Sequence, residues 1–346
     1  MTDSPTPKDR KTQRRESPSR KERPLSRAGV RKIISQAPQK DGPGRVKAKA
    51  AEPNDRPIDL DLPPGPVRQI FSPRMRRIVD TFLMNTTPVN TAFRAFLQGP
   101  DGGYQGDLKG AALVDYEHEK CLAMAAILPD RTWYVYSTEK PALMRLLDVA
   151  LVKLRPRVIE GELSVVWQAL EHPLLAANPG PRTQECVHLE LAPRKIPHTP
   201  EGHHRFAQLG DIPRLEEYMV EYKAEVGELP PHDWKTMIAE NRILLSIMEG
   251  TVASVAQRGP TTLDRMLIAA IFTFRPFRNR GLARNLVAAL ARQAAGRGQS
   301  TSTIAAKDNK ATLALLESLQ FNRTAEYLKA VFETEEGNES ERKEIT

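Results

Sequence analysis

The stretch Ile271-Phe272-Thr273-Phe274-Arg275-Pro276-Phe277-Arg278-Asn279-Arg280-Gly281-Leu282-Ala283 limits the fold more than any other part of the chain. A strand-like apolar run ends in a basic turn, and the turn opens directly onto a helical pattern with apolar residues at 282, 283, 286, 287, 290 and 294. That spacing makes one stripe, and the stripe needs a sheet to pack on. The first turn of such a helix leaves backbone N–H groups unpaired and carries the positive end of the helix dipole. Gly281 removes the side chain that would block an anion, while Arg278, Arg280 and Arg284 add positive charge. A phosphate or pyrophosphate suits that turn physically.

The flanking pattern extends the α/β reading over residues 203–335. A strand is expected at His204–Leu209, then a helix after Asp211 to about Tyr222 and another over Pro231–Glu240. A hairpin over Arg242–Met248 and Thr251–Arg258 turns at Glu249-Gly250. Met266–Phe274, Ser302–Ala306 and Ala325–Phe332 read as strands, and Leu282–Ala295 and Asn309–Leu319 as helices. The order is βααβββαβαβ, a mixed α+β sheet with helices packed on it.

Residues 68–193 form a first, smaller α/β region. Phe71–Met84, Val89–Leu97 and Pro141–Leu154 read as helices. Lys109–Tyr116 and Lys120–Leu128 form a hairpin about Glu117-His118-Glu119, and Trp133–Ser137 a strand. Val165–Leu170 and Val187–Leu191 are further elements, and the proline-bearing segment Ala192–Thr199 reads as a linker.

Charge separates the remaining segment. Residues 1–60 hold 16 Lys+Arg against 8 Asp+Glu, whereas the rest of the chain carries 35 of each. Residues 1–66 also hold 11 of the 28 prolines and no aromatic residue, so they are expected to stay disordered, as are 336–346. Residues 1–60 either make a weak electrostatic contact with nucleic acid or serve as a solubilising tail. No run of 18 apolar residues exists, and the first residues lack an apolar core for secretion. Two cysteines give neither metal spacing nor a disulfide framework, which leaves no metal site and a cytoplasmic location as the expectation.

With these motifs in register, residues 203–335 resemble the GNAT-type N-acetyltransferase superfamily. The family signature, Arg/Gln-x-x-Gly-x-Gly/Ala after the fourth strand, stands here as Arg278-x-x-Gly281-x-Ala283. Downstream, Asn309, Leu315 and Phe321 match the family pattern Asn-x-x-Ala-x-x-Leu-Tyr-x-x-x-Gly-Phe. The resemblance implies an acyl-CoA fold with acetyl-CoA in a V-shaped opening between the fourth and fifth strands. Backbone groups of Phe272, Thr273 and Phe274 would pair with the pantetheine arm. Arg278, Asn279, Arg280, Gly281, Leu282, Ala283 and Arg284 would surround the pyrophosphate, and Asn309 would help at the arm or the next helix start. Three positions depart from the family: Leu316 replaces its tyrosine, often the acid for the departing thiolate, Gln320 replaces a glycine, and Pro276 is shifted by one residue.

The activity so implied is transfer of an acetyl group from acetyl-CoA to a primary amine by direct attack in a ternary complex. The amine must be neutral to attack, because an alkylammonium has a pKa of about 10.4. Glu225 and Tyr327 are the leading catalytic candidates, with Tyr222, Glu228, His232 and Asp233 behind them. Leu316 keeps open a different class of function, a non-catalytic CoA-binding or scaffold protein. Residues 68–193 repeat the hairpin, strand and helix of the later region, so they read either as a degenerate GNAT copy, as in some bacterial two-domain members, or as an unrelated α/β domain. In the first case Ser137-Thr138-Glu139-Lys140-Pro141 stands where the basic turn would be, and Glu139 opposes a phosphate.

Overall fold

Alternating apolar residues and tight turns build three hairpin-like strands twice along this chain, and both sets join one sheet. In the computed structural model the described residues are 58–84, 90–99, 103–104, 108–117, 120–176, 180–194, 196, 203–227 and 229–332. Most of the basic tail, the 336–346 tail, the hairpin tip His118-Glu119, linker residues 195 and 197–202, and Glu228 lie outside them.

The first half runs β1 (Val67–Gln69), α1 (Pro73–Met84), α2 (Thr91–Gln98), β2 (Ala111–Glu117), β3 (Lys120–Ile127), β4 (Thr132–Ser137), α3 (Lys140–Lys153), β5 (Val158–Glu162), α4 (Leu163–Leu170), α5 (Pro173–Ala176) and β6 (Arg182–Leu191). The second runs β7 (His204–Phe206), α6 (Ile212–Val226), α7 (Trp234–Ala239), β8 (Ile243–Met248), β9 (Thr251–Thr261), β10 (Arg265–Thr273), α8 (Leu282–Gly296), β11 (Ser300–Ala306), α9 (Lys310–Ser318) and β12 (Asn322–Val331). The expected order βααβββαβαβ is the order observed from β7 to β12.

All twelve strands form one sheet in the order β1-β2-β3-β4-β5-β12-β6-β11-β10-β9-β8-β7. From either edge inward there are three antiparallel steps, one parallel step (β4–β5 or β10–β11), then an antiparallel step. That last step reaches a strand from the other half of the chain. β12 pairs with β5, and β6 pairs with β11. The two exchanged strands meet antiparallel at the centre. The linker after β6 therefore does not divide two sheets.

Helices cover both faces, as the apolar stripes require. α3 and α4 pack with Ile159, Leu328 and Ala330, and α8 and α9 pack on the same face with Leu189, Ile268 and Ala305. α1 and α2 lie on the opposite face of the first half, and α6 and α7 on that face of the second. Residues 58–66, expected to belong to the disordered tail, instead pack against the first half. Leu60 is buried and the Ile58 amide donates to the Gly110 carbonyl at 3.0 Å. Ile58, Leu60 and Leu62 alternate, which gives this proline-rich strap one apolar side. No described helix is long and apolar enough to cross a membrane.

Candidate functional site

β10 and β11 are parallel but pair only from Arg265↔Ser300 to Ile268↔Thr303. Beyond that point β10 bulges against β9 between Ala269 and Phe272, with Ala270 at φ 49°. A bulge adds a residue and bends its strand. Here it turns Ala269–Thr273 away from Ile304–Ala306 and leaves an opening between the two strands. Tyr218, fully buried on α6, donates its hydroxyl to the Ala270 carbonyl at 3.1 Å and so holds the bulge.

The register decides which main-chain groups face this opening. The Phe274 amide donates to the Ala253 carbonyl (3.1 Å), and the Phe272 carbonyl accepts from Ser254 Oγ (2.7 Å). Both residues therefore direct their backbone toward β9, and antiparallel alternation directs that of Ile271 and Thr273 toward the opening. Of the expected trio Phe272, Thr273 and Phe274, only Thr273 presents its main chain there. Phe272 and Phe274 contribute rings to the core under α6, with Phe272 centroids 5.7 and 6.1 Å from those of Tyr218 and Tyr222.

After β10 a short 3-10 turn, Arg275–Phe277, leads to the start of α8. Asn279 and Gly281 both have left-handed backbones, at φ 61° and 74°. These two reversals leave the amides of residues 279–284 without an acceptor among the described residues; the first amide that has one is Asn285, on the Gly281 carbonyl at 3.0 Å. A Cβ built on Gly281 would meet no atom within 4 Å. Open space, free donors and the helix dipole coincide there, which is what an anion requires.

The arginines are aimed elsewhere. Arg278 Nη2 donates to both Glu225 carboxylate oxygens (2.7 and 2.8 Å), and its Nε donates to the Thr273 carbonyl (2.9 Å). Arg275 Nε donates to the same carboxylate at 3.2 Å. Arg280 lies by Met248 Sδ and the Phe277 ring, and Arg284 Nε donates to Ser318 Oγ on α9 at 3.3 Å. A seat for an anion at this turn would therefore be main-chain, formed by Asn279, Arg280, Gly281, Leu282, Ala283 and Arg284 through their amides.

Burial acts to raise the Glu225 carboxyl pKa, but the hydrogen bonds and charges of Arg278 and Arg275 outweigh it and hold the group below the usual carboxylate range. A carboxylate so engaged is a poor proton acceptor. Tyr327 is buried on β12 and hydrogen-bonded to Glu160 on β5, which also bonds Tyr134 of β4. Burial, then the Glu160 charge, pushes its phenol well above the ordinary value. β6 and β11 separate β12 from β10; the Tyr327 hydroxyl is held by Glu160 of the first half, while its ring packs against Ile304 and Ala306 of β11. Asn309 caps α9, its side chain accepting from the Thr312 amide at 3.0 Å. Asp233 caps α7 in the same way at 3.3 Å, and His232 Nδ1 lies 3.0 Å from the Pro230 carbonyl. Leu316 is fully buried between α8 and α9. The sequence reading missed Tyr218, Ser254 and Arg275. Tyr218 shares a helical stripe with Leu215 and Tyr222, a signal that was available.

The fold has counterparts of known structure. A Drosophila protein solved by X-ray crystallography superposes with TM-score 0.60 at 13% identity, covering 77% of this chain and 98% of its own. A GCN5-related N-acetyltransferase from Sphaerobacter thermophilus superposes with TM-score 0.50 at 13% identity, over 77% and 95%. Residues 249–330 match the family model described as FR47-like protein. The chain shares the fold of these two proteins, and residues 249–330 are similar to the FR47-like family. Identities this low bear on the fold and not on the reaction. Among curated proteins none matches. The matched segment runs from the β8–β9 turn to β12 and so contains the bulge, the opening and the turn of residues 279–284.

Proposed function

We propose that this protein transfers an acetyl group from acetyl-CoA to a primary amine by direct attack in a ternary complex. The observation that carries the reading is the set of acceptor-free amides at residues 279–284, set around Gly281 at the mouth of the β10–β11 opening. Those amides would take the pyrophosphate, and the main chain of Ile271 and Thr273 would pair with the pantetheine arm. An amide on this open side of β10 also suits the carbonyl oxygen as negative charge develops on it. The cofactor supplies a reactive thioester; the chain aligns the two reactants, which alone lowers the barrier substantially. The amine nitrogen bonds to the acetyl carbon, the carbon–sulfur bond breaks, and the proton lost by the amine passes through solvent to the sulfur. Solvent is assigned this role because Glu225 is held by two arginines and the Tyr327 hydroxyl is held by Glu160.

The first half reads as a degenerate copy of the fold. It repeats the strand directions of the second half, yet its β4–α3 turn offers no comparable seat: Glu139 stands at the start of α3, and β4 closes on Gly161 of β5, where an added Cβ would lie 2.6 Å from the Val135 carbonyl oxygen. Residues 1–60 would add a weak polyanion contact, steeply salt-dependent and lost on deletion of residues 1–57, which leaves Ile58 and Leu60 in place.

One observation favours a second reading, CoA binding without turnover: Leu316 lies in the core where the family places a proton donor. A thiol-release assay with acetyl-CoA and a panel of primary amines separates the two. Transfer to any amine, abolished by Gly281→Glu, supports the enzyme. CoA binding with no transfer across the panel supports the sensor.

A further inference from the structure

Glu225 is the last acidic residue of α6, the helix that lies over the bulge, while Arg278 opens the anion-binding turn. They are 53 residues apart and joined by two hydrogen bonds of 2.7 and 2.8 Å. Arg278 is held at its other side as well, by Nε on the Thr273 carbonyl and by the Phe272 ring, 5.6 Å from the guanidinium carbon. Thr273, like Ile271, turns its backbone toward the opening, so Arg278 caps a carbonyl there and leaves the Thr273 amide. Gly227, at φ 83°, ends α6 just beyond Glu225, and the Arg182 guanidinium of β6 comes within 3.5 Å of where its Cβ would be. The end of α6 thus reaches from the basic turn to the strand beyond β11.

We propose that Glu225 is a positioning residue that clasps Arg278 and Arg275, keeping both guanidiniums out of the anion seat and fixing the wall of the acceptor side. This rests on the reading of residues 279–284 as a CoA seat. The clasp has two opposed consequences. A carboxylate near the seat repels the pyrophosphate and occupies two arginines that would otherwise attract it. The same carboxylate orders the last turn of α6, against which an acceptor must be placed. Cofactor affinity is thus traded for a fixed wall.

Titration of CoA into the full chain, with hydrogen exchange of residues 218–227 in the same samples, tests this. Glu225→Gln removes the charge and keeps the shape. The clasp predicts roughly threefold or greater tightening of CoA, lessened by added salt, together with faster exchange in the last turn of α6. Glu225→Asp, which keeps the charge, should return CoA affinity toward that of the unaltered chain. Unchanged CoA affinity in Glu225→Gln overturns the proposal and returns Glu225 to the candidates for general base. Weaker CoA binding with faster exchange overturns it in favour of a purely structural pair. If the unaltered chain binds no CoA, the reading of the seat fails first, a result distinct from either.

Discussion

At Gly281 two demands meet in one residue, a left-handed backbone and an empty space above it. They separate by substitution. Gly281→Ala meets no neighbour, so its cost is the backbone term alone, about 1 kcal/mol in denaturant melts. His188 gives a second prediction. It is fully buried on β6, its Nδ1 lies 2.6 Å from Thr324 Oγ1, and burial, then the nearby Arg265 charge, lowers its pKa to about 3. Between pH 6.5 and about 3 the unfolded chain takes up a proton that the folded chain refuses. Stability should therefore fall as pH drops through that window, by up to ~1.4 kcal/mol per unit from this group. His188→Gln should flatten that part of the curve in thermal melts taken across it. Single residues were legible where local chemistry decides them: Gly281 from its place before a helix, Asn309 from its place at a helix start. The Glu225–Arg278 pair and the positive φ of Ala270 were not, because one is set by long-range packing and the other falls on a residue that gives no sign of it.

Elements were legible where periodicity was strong. The ββ hairpin, the bulged strand and the helix of the second half all appear within a few residues of their expected limits. β5 was missed because Val158-Ile159-Glu160-Gly161-Glu162 is short and carries two acids and a glycine. The exchange of β6 and β12 was not readable, since nothing local tells a strand which partner half it will join. It has a testable consequence. A chain cut to residues 203–346 leaves β11 without β6, an open edge where the intact sheet has a partner. Such a fragment should lack a cooperative melt or should associate, as read by circular dichroism and size-exclusion chromatography. A monomeric fragment with a sharp melt contradicts the exchange.

Across the described residues the halves are also locked by a buried ionic knot. Arg94 on α2, 2% exposed, reaches Asp264 in the β9–β10 turn with bonds of 2.8 and 3.0 Å and Asp80 on α1 at 2.9 Å. Asp80 also accepts from Gln98 at 2.9 Å. Removing one partner strands a buried carboxylate, so Arg94→Ala should cost about 3–5 kcal/mol of stability in chemical denaturation. With shared strands and this knot, the described residues are expected to unfold in one transition. Among the described residues, the β10–β11 opening beside the amides of residues 279–284 is the feature proposed to hold CoA. Calorimetric titration of CoA into the full chain tests that most directly. The account predicts saturable binding at one site per chain and none in a folded Gly281→Glu variant; no binding to the unaltered chain, or equal binding to the variant, would contradict it.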